Sequence, residues 1–214
     1  MISAAVDRIL DELEKLYPEA KAELHFTNPY ETLIATILSA QCTDKRVNMV
    51  TEKLFRLYPD AYAMAKLEPE ELEPHIKSCG LYHNKAKNII AASRALIERF
   101  DGQVPCDRKQ LMSLPGVGQK TAGVVLLAAF GDDQIPVDTH VFRVSNRIGL
   151  ACSDTPNGVE NQLREVLPKE RWSHAHHLLI WHGRRCCSAR KPACERCPLR
   201  EELCNDKMKH TEET

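Results

Sequence analysis

Apolar residues recur along this chain at spacings of three and four rather than two. Val6, Ile9, Leu10, Leu13 and Leu16 fall on one helical face, Val47, Val50, Leu54 and Leu57 on a second, and Ile89, Ile90, Leu96, Ile97 and Phe100 on a third. Strand-like alternation is not evident. Helix starts are marked by Asn28-Pro29 with Glu31 three residues past the Asn, by Thr43-Asp44, by Asp107 and by Thr155-Pro156. At such positions a side-chain oxygen accepts from a first-turn N–H, and a proline loses no helical hydrogen bond. Gly80, Gly102 and Gly149 sit where helices should stop. The pattern predicts an all-α protein of short helices and short connections. Self-similarity at the roughly 34 to 47 residue periods of helical solenoids is absent, so a compact bundle is expected rather than an array. The final eight residues, 207–214, read KMKHTEET and are expected to be a disordered polar tail.

Composition narrows this picture only a little. A chain of 214 residues can bury one large core or two small ones, and 43% hydrophobic with 28% charged residues is ordinary for a folded protein. No apolar run approaches the roughly 20 residues that cross a bilayer. The N-terminus places Asp7 and Asp11 where a signal peptide would be uninterrupted and apolar. A cytoplasmic, nucleoid-associated protein with no membrane partner is expected. The net charge of -1 gives no global pull on a polyanion. The distribution is uneven, however: from Arg184 to Arg200 six basic residues face Glu195 alone, whereas the first 24 residues hold six acids against three bases. Such a basic stretch is either a solvated face or a local nucleic-acid contact.

The segment Leu114-Pro115-Gly116-Val117-Gly118-Gln119-Lys120-Thr121 puts two glycines in a tight turn between a short helix, Asp107 to Ser113, and an apolar helix, Thr121 to Phe130. A glycine turn that opens a helix presents free N–H groups and a partial positive charge, so Gly116, Val117 and Gly118 are candidate phosphate-contacting residues. Lys120 lies beside that positive end, where an acid would be favoured by up to about 1 kcal/mol. Only a neutral amine attacks carbon. The helix end and partial burial are both expected to favour that form, which makes Lys120 a candidate nucleophile rather than an ordinary surface lysine. Asp138, in Ile135-Pro136-Val137-Asp138-Thr139-His140, precedes a helical pattern and is a good N-cap in its own right. A carboxylate beside a reactive amine can also take up its proton or stabilise positive charge on a departing sugar, and the two roles are compatible.

Nine cysteines in a cytosolic chain are poor disulfide material, and five of them cluster. Cys187, Cys194, Cys197 and Cys204, spaced by six, two and six residues, offer four soft ligands in one Pro-, Arg- and Lys-rich loop, with Cys186 an alternative first ligand. Thiolates suit zinc or an iron–sulfur cluster. Only one closely spaced pair is present, which favours a [4Fe-4S] cluster over the paired spacing of zinc sites. Cys42, Cys79, Cys106 and Cys152 are scattered and are expected to be small buried hydrophobes. No two of His174, His176 and His177 are four residues apart, so a packing or surface role is expected of them.

With the hairpin, Lys120, Val137-Asp138-Thr139-His140 and the cysteine loop in this order, the chain resembles the endonuclease III family of helix-hairpin-helix DNA glycosylases. The resemblance runs from Asn28-Pro29-Tyr30 through Leu38-Ser39-Ala40-Gln41 and Gly80-Leu81-Tyr82 to Cys204. It implies a helical barrel over 22–132 and a second domain of 1–21 with 133–206, carrying a [4Fe-4S] cluster, with a cleft between the two. It further implies that Lys120 forms a Schiff base and that Asp138 is the catalytic aspartate. The expected substrate is double-stranded DNA bearing an oxidised pyrimidine or an abasic site, handled by a monomer. A base cannot be reached inside the stack, so the nucleotide must be extruded, and Gln41 and Leu81 match the residues that fill the gap. Alone, Gln41 would read as a polar helix-end residue and Leu81 as the apolar contact after a helix-capping Gly80. Two features depart from the family: its last two cysteines are usually five residues apart, and many relatives carry a basic residue at the position of Gln119. A monofunctional mismatch glycosylase of the same fold and a non-catalytic DNA-binding module are the competing readings.

Overall fold

A computed structural model describes residues 2–200, with side chains from residue 4 onward, and Cys204; the expected tail, 207–214, lies outside the described residues. Among the described residues the chain is helical and has no strand. In chain order the α-helices are α1 (Ile2–Leu16), α2 (Pro29–Leu38), α3 (Asp44–Leu57), α4 (Ala61–Met64), α5 (Pro69–Ile76), α6 (Tyr82–Phe100), α7 (Arg108–Met112), α8 (Gln119–Phe130), α9 (Thr139–Arg147), α10 (Pro156–Val166) and α11 (Trp172–Arg185). Asn28, Thr43, Asp107 and Thr155 are N-caps, each accepting from a backbone N–H three residues on. Gly102 and Gly149 follow helix ends with φ of 74° and 75°, in the left-handed region that a side chain disfavours. None of the helices is long and apolar enough to cross a membrane among the described residues.

The chain divides into two compact units, Ala22–Asp132 and Met1–Lys21 with Asp133–Thr214. In the first, α2 is the central element: from Thr32 to Leu38 every residue is buried. Two threonines survive there because their hydroxyls return to the helix, Thr36 Oγ1 donating to Thr32 O and Thr32 Oγ1 to Asn28 O. Tyr30 and Ser93 share a 2.7 Å hydrogen bond that ties α2 to α6, and α8 packs on α2. In the second unit α11 packs along α9 and α1, with a core of Leu10, Leu13, Val141, Val144, Leu178 and Leu179. Gly183 makes the α9–α11 approach possible, since a Cβ there would stand 2.9 Å from His140 Cβ.

Candidate active site and metal centre

The glycine hairpin lies between α7 and α8. Gly116 has φ of 76°, and a Cβ at this position would meet Asn88 Cβ at 2.8 Å. Conformation and contact both require glycine. Gly118 is the N-cap of α8 and, having no side chain, makes no side-chain hydrogen bond to the first-turn N–H groups. The helix begins at Gln119, two residues earlier than the sequence pattern suggested, because the glycine itself takes the cap. Lys120 therefore stands within the first turn.

Lys120 is exposed, contrary to the expected partial burial. Its helix buries Ala122, Gly123, Val125, Leu126 and Leu127, and residue 120 stands ahead of that run in the first turn.

Asp138 is the N-cap of α9, and its Oδ1 accepts from both His140 N and Val141 N at 2.8 Å. Burial holds the His140 ring below the usual imidazole range, and Arg143 and Arg184 add to this while Asp138 opposes it. The ring lies 3.2 Å, at Nδ1, from Arg143 Nη2. A neutral imidazole nitrogen can accept from that guanidinium.

Gln41 and Leu81 share a property that sequence reasoning did not reach. With Asp101 they are the non-glycine residues of positive φ among those described, at 54° and 49°. Backbone held there costs roughly 1–3 kcal/mol, and such strain concentrates at functional positions. Leu81 is 54% exposed, which corrects the alternative reading of an apolar contact after Gly80. The left-handed turn directs the side chain outward instead. Both loops are tied from within: Lys85, buried on α6, donates to Leu38 O and Cys79 O, each at 2.8 Å.

Cys187, Cys194, Cys197 and Cys204 line one cavity, together with Cys186, Arg147 and His182. Burial pushes the Cys194 thiol up, and the neighbouring Cys187 and Cys204 push it further. Four such thiolates need a cationic group among them, and an iron–sulfur core meets that requirement. His182, Cys186 and Cys197 also come within 4.8 Å of one another, but this trio is a poorer ligand set. Both His182 nitrogens are engaged, with Tyr17 Oη at 3.2 Å and Cys197 Sγ at 3.6 Å. Cys186 is buried, its thiol is pushed by desolvation up to about 12, and it donates to Ala193 O.

The loop's supports were missed from sequence. Arg143 donates to Cys187 O and Gly183 O, and Arg147 to Ser188 O, Ala189 O and Cys187 Sγ. Their signal was available, since two arginines four residues apart on a helix share a face. Cys106 and Cys152 are exposed, which corrects their assignment to the core; they sit in the loops before α7 and after α9. Cys79 is buried and Cys42 partly so. The histidines pack: His176 is buried, its ring meets that of His177 edge-on, and His174 faces Glu14.

A family model for the HhH-GPD superfamily of base excision DNA repair proteins matches residues 34–169. A second, for the iron-sulfur binding domain of endonuclease III, matches residues 187–204. Endonuclease III of Rickettsia conorii is 49% identical over 201 residues, which is 94% of this chain and 96% of the relative.

The chain belongs to the endonuclease III family.

This endonuclease III family member also matches the solved structure of a trapped endonuclease III–DNA covalent intermediate, with a TM-score of 0.92, 48% identity and 97% of both chains covered. A thermostable thymine-DNA glycosylase matches with a TM-score of 0.85 and 26% identity, over 96% of this chain and 98% of the other. The fold is thus the all-α helix-hairpin-helix glycosylase fold with a C-terminal iron–sulfur region. The cofactor is a [4Fe-4S] cluster, and the thiol-lined cavity fits it.

Proposed function

We infer that the protein is a bifunctional DNA glycosylase and abasic-site lyase of base excision repair, acting on oxidised pyrimidines with Lys120 as nucleophile and Asp138 as its partner. The observation that carries the assignment is an exposed lysine in the first turn of a helix whose N-terminus is left open by a glycine hairpin. Phosphate seated at the Gly116-Val117-Gly118 hairpin, at the N-terminus of α8, would bring the backbone of the damaged strand to the lysine. The amine attacks the anomeric sugar carbon as the base leaves, and the Asp138 carboxylate stabilises the positive charge that develops on the sugar. Loss of the amine proton and ring opening give an imine. That imine draws electrons from the adjacent carbon, so removal of a proton there expels the 3′ phosphate and breaks the strand.

Gln41 and Leu81, on strained and outward-facing turns, suit the role of filling the space left by an extruded nucleotide. We assign residues 22–132 as the helical barrel domain with its helix-hairpin-helix, and 1–21 with 133–206 as the cluster domain. Cys187, Cys194, Cys197 and Cys204 are the proposed ligands, and the molecule is proposed to act as a monomer on double-stranded DNA in the cytoplasm. When bound, the cluster supplies a four-point anchor for the basic loop. Arg143 and Arg147 hold the same loop through its carbonyls.

Borohydride reduction on a duplex bearing an abasic site tests the chemistry, because a lysine imine is reducible and a water-mediated intermediate is not. The native protein should be trapped covalently, and Lys120→Gln should bind but leave no adduct. Equal trapping by Lys120→Gln would place the nucleophile elsewhere, and base release without any trapping would favour the monofunctional reading.

A further inference from the structure

Gln41 and Leu81 are approached from within the fold by one side chain. Lys85 is 4% exposed, and its ammonium donates to Leu38 O and to Cys79 O, each at 2.8 Å. Leu38 is the last residue of α2, three positions before Gln41, and Cys79 lies two positions before Leu81. The backbone of Lys85 reaches the second turn as well, since its N–H donates to Leu81 O at 3.0 Å. One residue thus anchors the Leu81 turn by two bonds and fastens it to the segment that leads into Gln41. No step of the excision chemistry uses Lys85, and its burial keeps it from the phosphates that an exposed lysine would meet.

A buried ammonium is costly unless its donors are met, and an apolar side chain of similar length would pack here without that cost. What the ammonium does, and an apolar chain cannot, is bind two carbonyls at once. Leu38 O is among the carbonyls that a helix leaves unpaired at its C-terminus, where a cation is favoured. The joint also falls beside strained backbone, since Gln41 and Leu81 hold φ of 54° and 49°. Asp101, the remaining non-glycine residue of positive φ among those described, differs: its N–H donates to Leu96 O and simply closes the end of α6. The buried cation serves the two turns proposed to enter DNA.

We propose that Lys85 is a positioning residue for nucleotide extrusion, its ammonium fixing the Gln41 and Leu81 turns to each other so that both side chains enter the duplex as one unit. The proposal rests on the reading of Gln41 and Leu81 as DNA-inserting residues. Extrusion costs unpairing and unstacking free energy, and filling the gap offsets more of that cost when both fillers are already in place. Turns that moved independently would have to be ordered one at a time on the DNA. Loss of the clasp therefore bears most on a substrate whose base must still be drawn from the stack. It bears least on an abasic site, which has no base to unpair.

Cluster-loaded Lys85→Met removes the donors and nearly keeps the length of the side chain. Lys85→Gln keeps a neutral donor on a shorter chain and carries the test if urea unfolding or the visible absorption of the cluster shows that the Met variant does not fold. Single-turnover base release should be measured on a duplex with a paired oxidised pyrimidine, and strand cleavage on the same duplex with a pre-formed abasic site. The ratio of release to cleavage should fall by on the order of tenfold or more, since displacement near 1 Å in a positioning element costs about that much or more. 2-Aminopurine opposite a non-cleavable abasic analogue should brighten when the native protein binds, and brighten less with saturating variant. An unchanged ratio with native fluorescence, whether both rates fall together or neither does, would reduce Lys85 to a structural cation and overturn the proposal. Gln41→Ala and Leu81→Ala test the reading beneath it, and each should lower the same ratio. If they do and the Lys85 variants do not, the clasp alone is refuted; if they do not, the insertion reading fails and the clasp with it.

Discussion

Replacing Asp138 separates a cap from a catalyst. Its Oδ1 accepts two hydrogen bonds of 2.8 Å, from His140 N and Val141 N, at the start of α9. Asn offers the same oxygen and caps about as well, so Asp138→Asn should lose only the interaction of a charge with the helix end, about 0.3–1 kcal/mol. Asp138→Ala forfeits both bonds and should cost about 1–2 kcal/mol. The charge of Asp138 opposes the burial that lowers His140, so its removal acts in the same direction as burial. If the carboxylate acts on the reacting sugar, both variants should slow base release alike, by roughly 10²–10⁴-fold. Urea unfolding and single-turnover release on one damaged duplex give the two axes. Stability should order native, Asn, Ala, while release should group Asn with Ala. Release by Asp138→Asn within a few fold of native, with Asp138→Ala slow and unstable, would reduce the residue to a helix cap.

The hairpin offers a second separation: Gly118→Ala meets nothing within 4 Å and keeps an ordinary φ, so it should unfold like the native protein yet bind duplex DNA more weakly. Gly116→Ala combines φ of 76° with a 2.8 Å contact and should lose about 1–3 kcal/mol of stability as well as binding; native affinity in Gly118→Ala, measured at fixed salt, would remove the phosphate seat from the hairpin. Burial, with His174 adding to it, lowers His177 from 6.5 to about 4, so the folded state binds its proton less readily than the unfolded chain. That stability is present above 6.5 and is lost as pH falls toward 4, by about 3 kcal/mol. Denaturant midpoints should therefore fall more steeply between pH 7 and 4.5 for the native protein than for His177→Gln, and parallel curves would contradict this.

The caps were legible because each is a local event: Asn28, Thr43, Asp107, Asp138 and Thr155 reach backbone N–H groups two or three residues on, and sequence spacing alone contains that geometry. The all-α class followed from periodicity for the same reason. Burial was less legible. Cys106 and Cys152 read as core by residue type, but they sit in loops, where type does not decide exposure. Lys120 was expected to be partly buried because chemistry wanted it so, but it stands in the first turn of α8, ahead of the buried run that starts at Ala122. Gln41 and Leu81 came only through the resemblance, since positive φ at a non-glycine residue leaves no mark in composition.

The cluster loop shows where local reading ends. Cysteine spacing identifies the ligands but not what holds them, and the supports come from α9, some forty residues upstream. Arg143 and Arg147 donate to carbonyls at Gly183, Cys187, Ser188 and Ala189. A guanidinium bound to backbone keeps its full positive charge, so each contact fixes the loop without neutralising it. The six basic residues from Arg184 to Arg200 lie on or beside that loop, and mutual repulsion opposes holding them together. Four ligand bonds and two arginines on one helix face provide the opposing constraint. Asp138 caps that same helix, so the proposed catalytic carboxylate and the supports of the basic loop are fixed on a single rigid element, nine residues long.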